Sequence, residues 1–280
     1  MDIFQAIFLG VVQGLTEFIP ISSSGHLIII PWLFGWADPG LAFDVALHLG
    51  TLVALLWFFA GDWTRLLRAG IASLVERRIG NDPDRRLAWF LVIGSVPGGL
   101  VGVLAESKIE EWFHAPNAQH NANAMIAMGA IIALLGAALF AAERLARHTR
   151  TLAHISLRDV LVIGCAQALA IFPGVSRSGA TITAGLALAF ERQAAARFSF
   201  LLSAPLIAGA GAKSVFGIVR AGIAPSEALF FGVGFLSATI SGYLCIKFLL
   251  RFLQSHSTEI FVYYRWVLAA LVIAVALGRG

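Results

Sequence analysis

The chain has 280 residues, of which 59% are hydrophobic and 13% charged. A soluble domain carries roughly 25% charged residues, so this chain has too little polar surface to cover a water-facing exterior, which excludes a soluble globular protein. The net charge of +4 does not indicate a nucleic-acid partner, because no basic run is interleaved with aromatic residues.

The composition is that of an all-α, polytopic membrane protein, in which each crossing needs about 20 apolar residues. Residues 1–10 lack the positive n-region of a cleavable signal peptide, so the N-terminus is expected to belong to the mature fold. The first apolar segment, 2–36, is cut by the turn-forming cluster Pro20-Ile21-Ser22-Ser23-Ser24-Gly25-His26. Halves this short suit a helix that enters the membrane, breaks and returns, so 2–36 reads as a re-entrant hairpin. Three full crossings follow at 41–60, 87–105 and 124–142. A second interrupted segment, 156–190, is broken by Pro173-Gly174-Val175-Ser176-Arg177-Ser178-Gly179, and three more crossings follow at 198–219, 225–250 and 260–277.

The two broken segments are related by an internal repeat. A shift of 154 places brings Gln13, Phe18, Ser22, Ser24 and Gly25 onto Gln167, Phe172, Ser176, Ser178 and Gly179. A single membrane domain, 1–280, is expected, with a first repeat at 1–145 and a second at 156–280. An odd number of crossings in each copy inverts the second, so the hairpin tips should meet near the midplane. Orientation follows from the basic residues. Arg65, Arg68, Arg77, Arg78, Arg85, Arg86, Arg144, Arg147, Arg150, Arg158, Arg192, Arg197, Lys247 and Arg251 fall on one side of this topology. The other side carries Lys108 among Glu106, Glu110 and Glu111, with Arg220 and Arg279. The positive-inside rule makes the first side cytoplasmic and leaves both termini outside the cytoplasm.

Ionisable groups within such segments are functional candidates by default. Gln13 and Glu17 are four apart on the first half-helix and therefore share a face. The Glu17 carboxylate could hold a metal ion, act as a base or pair with an arginine. Ser22, Ser23, Ser24, Gly25 and His26 supply hydroxyls, an imidazole and a helix N-terminus suited to an anion, although the same run would also serve as an ordinary turn and cap. Arg177 is a planar fork of donors between Ser176 and Ser178, with Thr181 one turn on. It either grips a phosphate or neutralises Glu17. Asp44 and His48, also four apart, read as supports for Glu17 or His26, or as groups at the water interface, since Asp44 is only a few residues from the start of its span. Lys213 and Arg265 lie near span ends and are expected to snorkel. Cys165 and Cys245 have no metal-ligand spacing. Gly98, Gly99, Gly102, Gly209, Gly211, Gly232, Gly234 and Gly242 read mostly as close helix packing, and Gly98 with Gly102 allows a homodimer. Together these groups describe an anion-seeking pocket for an amphiphile with a phosphate head and a tail in membrane lipid. Their spacing selects neither hydrolysis nor transport.

The segments Gln13-Gly14-Leu15-Thr16-Glu17-Phe18-Ile19-Pro20-Ile21-Ser22-Ser23-Ser24-Gly25-His26 and Pro173 to Thr181 resemble the two signature motifs of the undecaprenyl-diphosphate phosphatase, or bacitracin-resistance, family. The order of hairpins, crossings and basic loops matches that family over essentially the whole chain. The resemblance implies hydrolysis of undecaprenyl diphosphate to undecaprenyl phosphate and inorganic phosphate, at a site open to the periplasm in a bacterial inner membrane. It implies Glu17, Ser23, His26 and Arg177 as catalytic residues. Gln13, Ser22, Ser24, Ser176, Ser178 and Thr181 are expected to bind substrate, and a divalent cation, Mg²⁺ or Ca²⁺, to sit on Glu17. Gln13 stands where the family pattern has either Glu or Gln, which weakens a two-carboxylate metal site. Ser23 would be the nucleophile with His26 or Glu17 as its base; direct attack by water is the rival. Inverted repeats with broken helices also build secondary transporters, so a flippase or anion carrier is the alternative.

Overall fold

The computed structural model describes the backbone of residues 1–113, 122–221 and 225–279, and the side chains in these segments apart from 106–113, 213, 216–221, 225 and 226. The side chains of Glu106, Lys108, Glu110, Glu111, Lys213 and Arg220 thus lie outside the described residues. Within them the chain is all-helical, with one isolated bridge between Arg150 and Phe190. In hydrocarbon every backbone N–H and C=O must be satisfied within its own segment, and these Ala-, Leu- and Ile-rich runs do so as helices.

A reciprocal cap between Asp2 and Gln5 starts α1 (Ile3–Thr16). After a turn, Ser22 caps α2 (Ser23–Phe34), which Gly35 ends in the left-handed conformation at φ 66°. Next come α3 (Leu41–Phe58), α4 (Ala60–Val75), α5 (Pro83–Phe113) and α6 (Ala122–Leu145). A Ser156–Asp159 capping box opens α7 (Leu157–Ala168), and Ser176 caps α8 (Arg177–Ala187). The chain closes with α9 (Arg192–Ala221), α10 (Pro225–Phe252) and α11 (Glu259–Arg279). Among the described residues, α3, α5, α6, α9, α10 and α11 contain the six stretches long and apolar enough to cross a membrane, matching the six expected crossings. The outward face of α10 carries Leu229, Leu236, Ile240, Leu244 and Phe248, all exposed, as contact with lipid requires.

The short helix α1 packs on α10, and α7 packs on α5. Both approaches depend on glycine at equivalent places. A Cβ on Gly10 would lie 2.5 Å from the Gly234 carbonyl oxygen, and one on Gly164 would lie 2.5 Å from that of Gly94. Of the glycines expected at helix seams, Gly98, Gly211, Gly234 and Gly242 do face neighbours. Gly99, Gly102, Gly209 and Gly232 meet nothing within 4 Å, so the seam expectation fails there. The buried aromatic pair Phe18 and Phe200, edge to face at 5.3 Å, packs directly below the first break.

The 61–82 stretch, expected as a basic loop, is largely the helix α4. Its Leu66 and Ser73 are buried while Leu67, Ile71, Leu74 and Val75 are exposed. This apolar stripe recurs at helical spacing but is too short and too charged to cross, the pattern of a helix lying along a membrane surface.

Candidate active site

The two breaks are built alike. Ser22 and Ser176 have φ of 78° and 70°, a region that L residues avoid at a cost of about 1 kcal/mol or more. Each nevertheless caps the helix it precedes, its Oγ accepting from the Gly25 N–H at 3.3 Å and the Gly179 N–H at 3.0 Å, respectively. The sharp reversal turns the N-termini of α2 and α8, with the positive ends of their dipoles, toward the place where the breaks meet. Ser178 Oγ donates to the Ile19 carbonyl at 3.2 Å and thereby joins one break to the other.

Glu17 lies at the centre of this junction. It is 6% exposed, follows the last turn of α1 and accepts bonds from three side chains. Gln13 Nε2 donates to its Oε2 at 3.0 Å and Ser23 Oγ donates to the same oxygen at 2.5 Å. Arg177, at the first turn of α8, pairs with Oε1 and also donates to the Ser203 carbonyl at 3.2 Å. His48 Nε2 stands 3.7 Å from Oε2, with its Nδ1 on the Asp44 carbonyl. Asp44 thus bears on the site through its backbone, by way of His48. Because a carboxylate only accepts, Gln13 must present its NH₂ to Glu17. That leaves Gln13 Oε1 buried without a partner.

His26 is positioned differently. Its Nδ1 is 2.6 Å from the Ser22 carbonyl, which can only accept, so Nδ1 carries the proton in the neutral ring. Nε2 then accepts from the Tyr264 hydroxyl at 2.7 Å, with the two rings stacked. Both ring nitrogens are engaged and neither bonds to Ser23. At this junction the hydroxyl bonded to the buried Glu17 is that of Ser23; the other hydroxyls on buried acids, Thr258 on Glu143 and Ser156 on Asp159, belong to helix caps and loops away from the breaks. Of the remaining candidates, Ser24 reaches Ser22 at 3.5 Å, and Thr181 bonds to the Arg177 carbonyl and to Ser199. These two support the breaks and do not bond directly to Glu17.

Neither the part played by Tyr264 nor the position of Arg265 follows from the sequence. Expected to snorkel at the end of the last crossing, Arg265 is instead fully buried. Its Nη1 donates to the Pro20 carbonyl at 3.0 Å, its Nη2 to those of Gly174 at 3.1 Å and Val175 at 3.2 Å, and its Nε to that of Ile132 at 3.0 Å. The signal missed was an arginine with no acidic residue within a helical turn on its own element, which leaves its donors to distant carbonyls.

A serine hydroxyl held on a carboxylate beside a guanidinium can be deprotonated, and can attack an anion which that guanidinium grips. Similarity to known proteins bears on which anion. Residues 6–271 match the family described as bacitracin resistance protein BacA. The chain is 49% identical over 275 residues to an undecaprenyl-diphosphatase of Thermomicrobium roseum, covering 98% of each. It is 45% identical over 284 residues to one of Desulforudis audaxviator, covering all of both, and 45% identical over 277 residues to one of Moorella thermoacetica, covering 98% of each.

Proposed function

The chain belongs to the bacitracin resistance protein BacA family, and from that premise we propose that it hydrolyses undecaprenyl diphosphate to undecaprenyl phosphate and inorganic phosphate. In this role it is a multi-pass membrane enzyme that recycles the lipid carrier of bacterial cell-wall synthesis. The observation that carries the reading is the bonded set Ser23, Glu17 and Arg177, drawn from two separate breaks.

In the proposed reaction Ser23 Oγ attacks the terminal phosphorus as its proton passes to Glu17 Oε2. The bond to the bridging oxygen breaks and undecaprenyl phosphate departs with that oxygen. Protonation neutralises Glu17 and weakens its hold on Arg177, so the guanidinium is released to the phosphoryl oxygens when their charge must be held. Water then attacks the phosphoserine, the Oγ–P bond breaks as Glu17 returns its proton to Ser23 Oγ, and inorganic phosphate leaves carrying the oxygen and protons of the water. Gln13, Ser22, Ser24, Ser176, Ser178 and Thr181 shape the binding breaks, and the N–H groups of α2 and α8 face the diphosphate. His26, occupied at both nitrogens, orients the first break, so the base role falls to Glu17.

Among the described residues no group of three or more His, Cys, Asp or Glu could hold a metal ion, so a divalent cation, Mg²⁺ or Ca²⁺, would rest on Glu17 and the unpartnered Gln13 Oε1 and take its other ligands from the substrate. Such ions are commonly shared between one or two protein oxygens and substrate phosphates. When bound it would offset phosphate charge.

The shared shift of 154 residues, the paired strained serines and the equivalent glycines Gly10 and Gly164 support an inverted repeat of 1–145 and 156–280. The short helices α1, α2, α7 and α8 would form two re-entrant hairpins, over 2–36 and 156–190. The arginine distribution supports an orientation with both termini outside the cytoplasm, and the family resemblance supports a bacterial inner membrane with the site open to the periplasm. Gly102, which faces open space on α5, suits a homodimer contact.

Phosphate release from undecaprenyl diphosphate by the detergent-solubilised protein tests the reading. Wild type should release phosphate, whereas Ser23→Ala and Arg177→Ala should not. A folded wild type that releases none would overturn the reading and send the question to lipid transport in sealed vesicles. Retained hydrolysis in Ser23→Ala would leave water as the direct nucleophile.

A further inference from the structure

We propose that Arg265 is a positioning residue for the phosphoryl transfer, locking the two breaks against each other so that Ser23 and Glu17 stand opposite Arg177. The proposal rests on the phosphatase reading above. One guanidinium joins three segments: the first break through Pro20, the second through Gly174 and Val175, and α6 through Ile132. The bonded carbonyls lie close to the chemistry. Pro20 sits between Glu17 and Ser22, and Val175 directly precedes Ser176 and Arg177. Whatever moves Arg265 therefore moves the base and its opposing cation relative to each other.

The electrostatics of the position single out arginine. Arg265 is completely buried, and no carboxylate pairs with it among the described residues. A buried cation held only by neutral carbonyls carries a large desolvation cost, and an apolar side chain would avoid it only by leaving the Pro20, Gly174, Val175 and Ile132 carbonyls without this donor. What the arginine supplies is a planar fork whose separate nitrogens reach carbonyls on different segments at once. Lysine directs its three donors from a single nitrogen and cannot span them. The first turn of α8 leaves room for this fork, since a Cβ on Gly179 would lie 2.9 Å from Arg265 Nη1.

Phosphate release from undecaprenyl diphosphate by the full-length protein in detergent, followed alongside thermal unfolding, tests the proposal. Arg265→Lys should unfold near wild type yet lose about a hundredfold in kcat, with KM changed by less than about threefold, because misplacement of about an ångström affects the transition state more than binding. Methylguanidinium, but not methylammonium, should raise kcat in Arg265→Ala. A folded Arg265→Lys with kcat within about threefold of wild type would overturn the proposal, as would a rise in KM alone. If Arg265→Lys does not fold, the Ala variant decides: an equal response to both cations, or none, overturns it. A wild type without activity instead refutes the phosphatase reading itself.

Discussion

Ser23 and Glu17 are joined by the one bond in the site with the geometry of an activated nucleophile, and Glu17 also holds Arg177. Glu17→Gln removes a proton acceptor and a charge partner while preserving shape. It is expected to lower kcat by about 10²–10⁴-fold, as measured by phosphate release, because general-base assistance is typically of that size. The strained caps lead to a separate prediction about stability. At Ser176, Ala would keep the unfavourable positive φ and lose the capping oxygen, whereas Gly would lose the oxygen but relieve the strain. Thermal unfolding should therefore show Ser176→Ala less stable than Ser176→Gly, with a difference of about 1 kcal/mol. Glu17, Arg177 and the run Ser22 to His26 are legible in the sequence because polar groups in an apolar run stand out, whereas Ser23 is singled out within that run only by the family resemblance. Tyr264 and Arg265 are not legible, since their partners lie more than 200 residues away along the chain and no local pattern announces them.

At the scale of elements, the seams of α1 with α10 and of α7 with α5 rest on glycine. Gly164→Val would drive methyl groups into the Gly94 backbone, and overpacking of this kind typically costs about 1–3 kcal/mol. Gly99→Ala, with open space around it, should leave unfolding unchanged, and equal losses in the two variants would contradict the packing described. The start of α7 is held by Arg150, which reaches both oxygens of Asp159, at 3.0 and 2.6 Å, and stacks over Phe190. Burial would raise the Asp159 pKa, but bonds from Arg150 and Ser156 outweigh it and hold the carboxyl below its ordinary value. Asp159 lies at the polar end of α7, outside the six crossing helices. A depressed native pKa contributes stability that is present above the unfolded value of about 4 and disappears as pH falls through the native one. Wild type should thus lose more thermal stability than Asp159→Asn between about pH 6 and pH 3. The crossings and breaks could be read from hydropathy and turn residues. Helix α4 could not, because its apolar stripe is interrupted by arginines that read as loop, and only its outward exposure distinguishes it.

For the whole molecule, arginine placement makes sidedness the readiest test. With Cys165 replaced by serine, a cysteine at Arg68 in α4 should react with a membrane-impermeant maleimide only in inverted vesicles, and one at Pro39 only in intact spheroplasts. The reverse pattern would overturn the orientation read from the arginines. Chelation with EDTA should abolish phosphate release, and added Mg²⁺ or Ca²⁺ should restore it; activity that survives chelation would assign charge neutralisation to Arg177 and the helix termini alone.

The pairing of Glu17 with Arg177 has a consequence for a membrane that stores energy as a voltage. Moving one elementary charge across 100 mV is worth about 2.3 kcal/mol, so an unpaired guanidinium deep in the bilayer would be pulled by the field. The closed pair carries no net charge and feels no such pull. In the proposed cycle Glu17 gives up Arg177 only as the phosphoryl oxygens take it, so the guanidinium stays paired at each step and the reaction is expected to run at the same rate with and without a membrane potential.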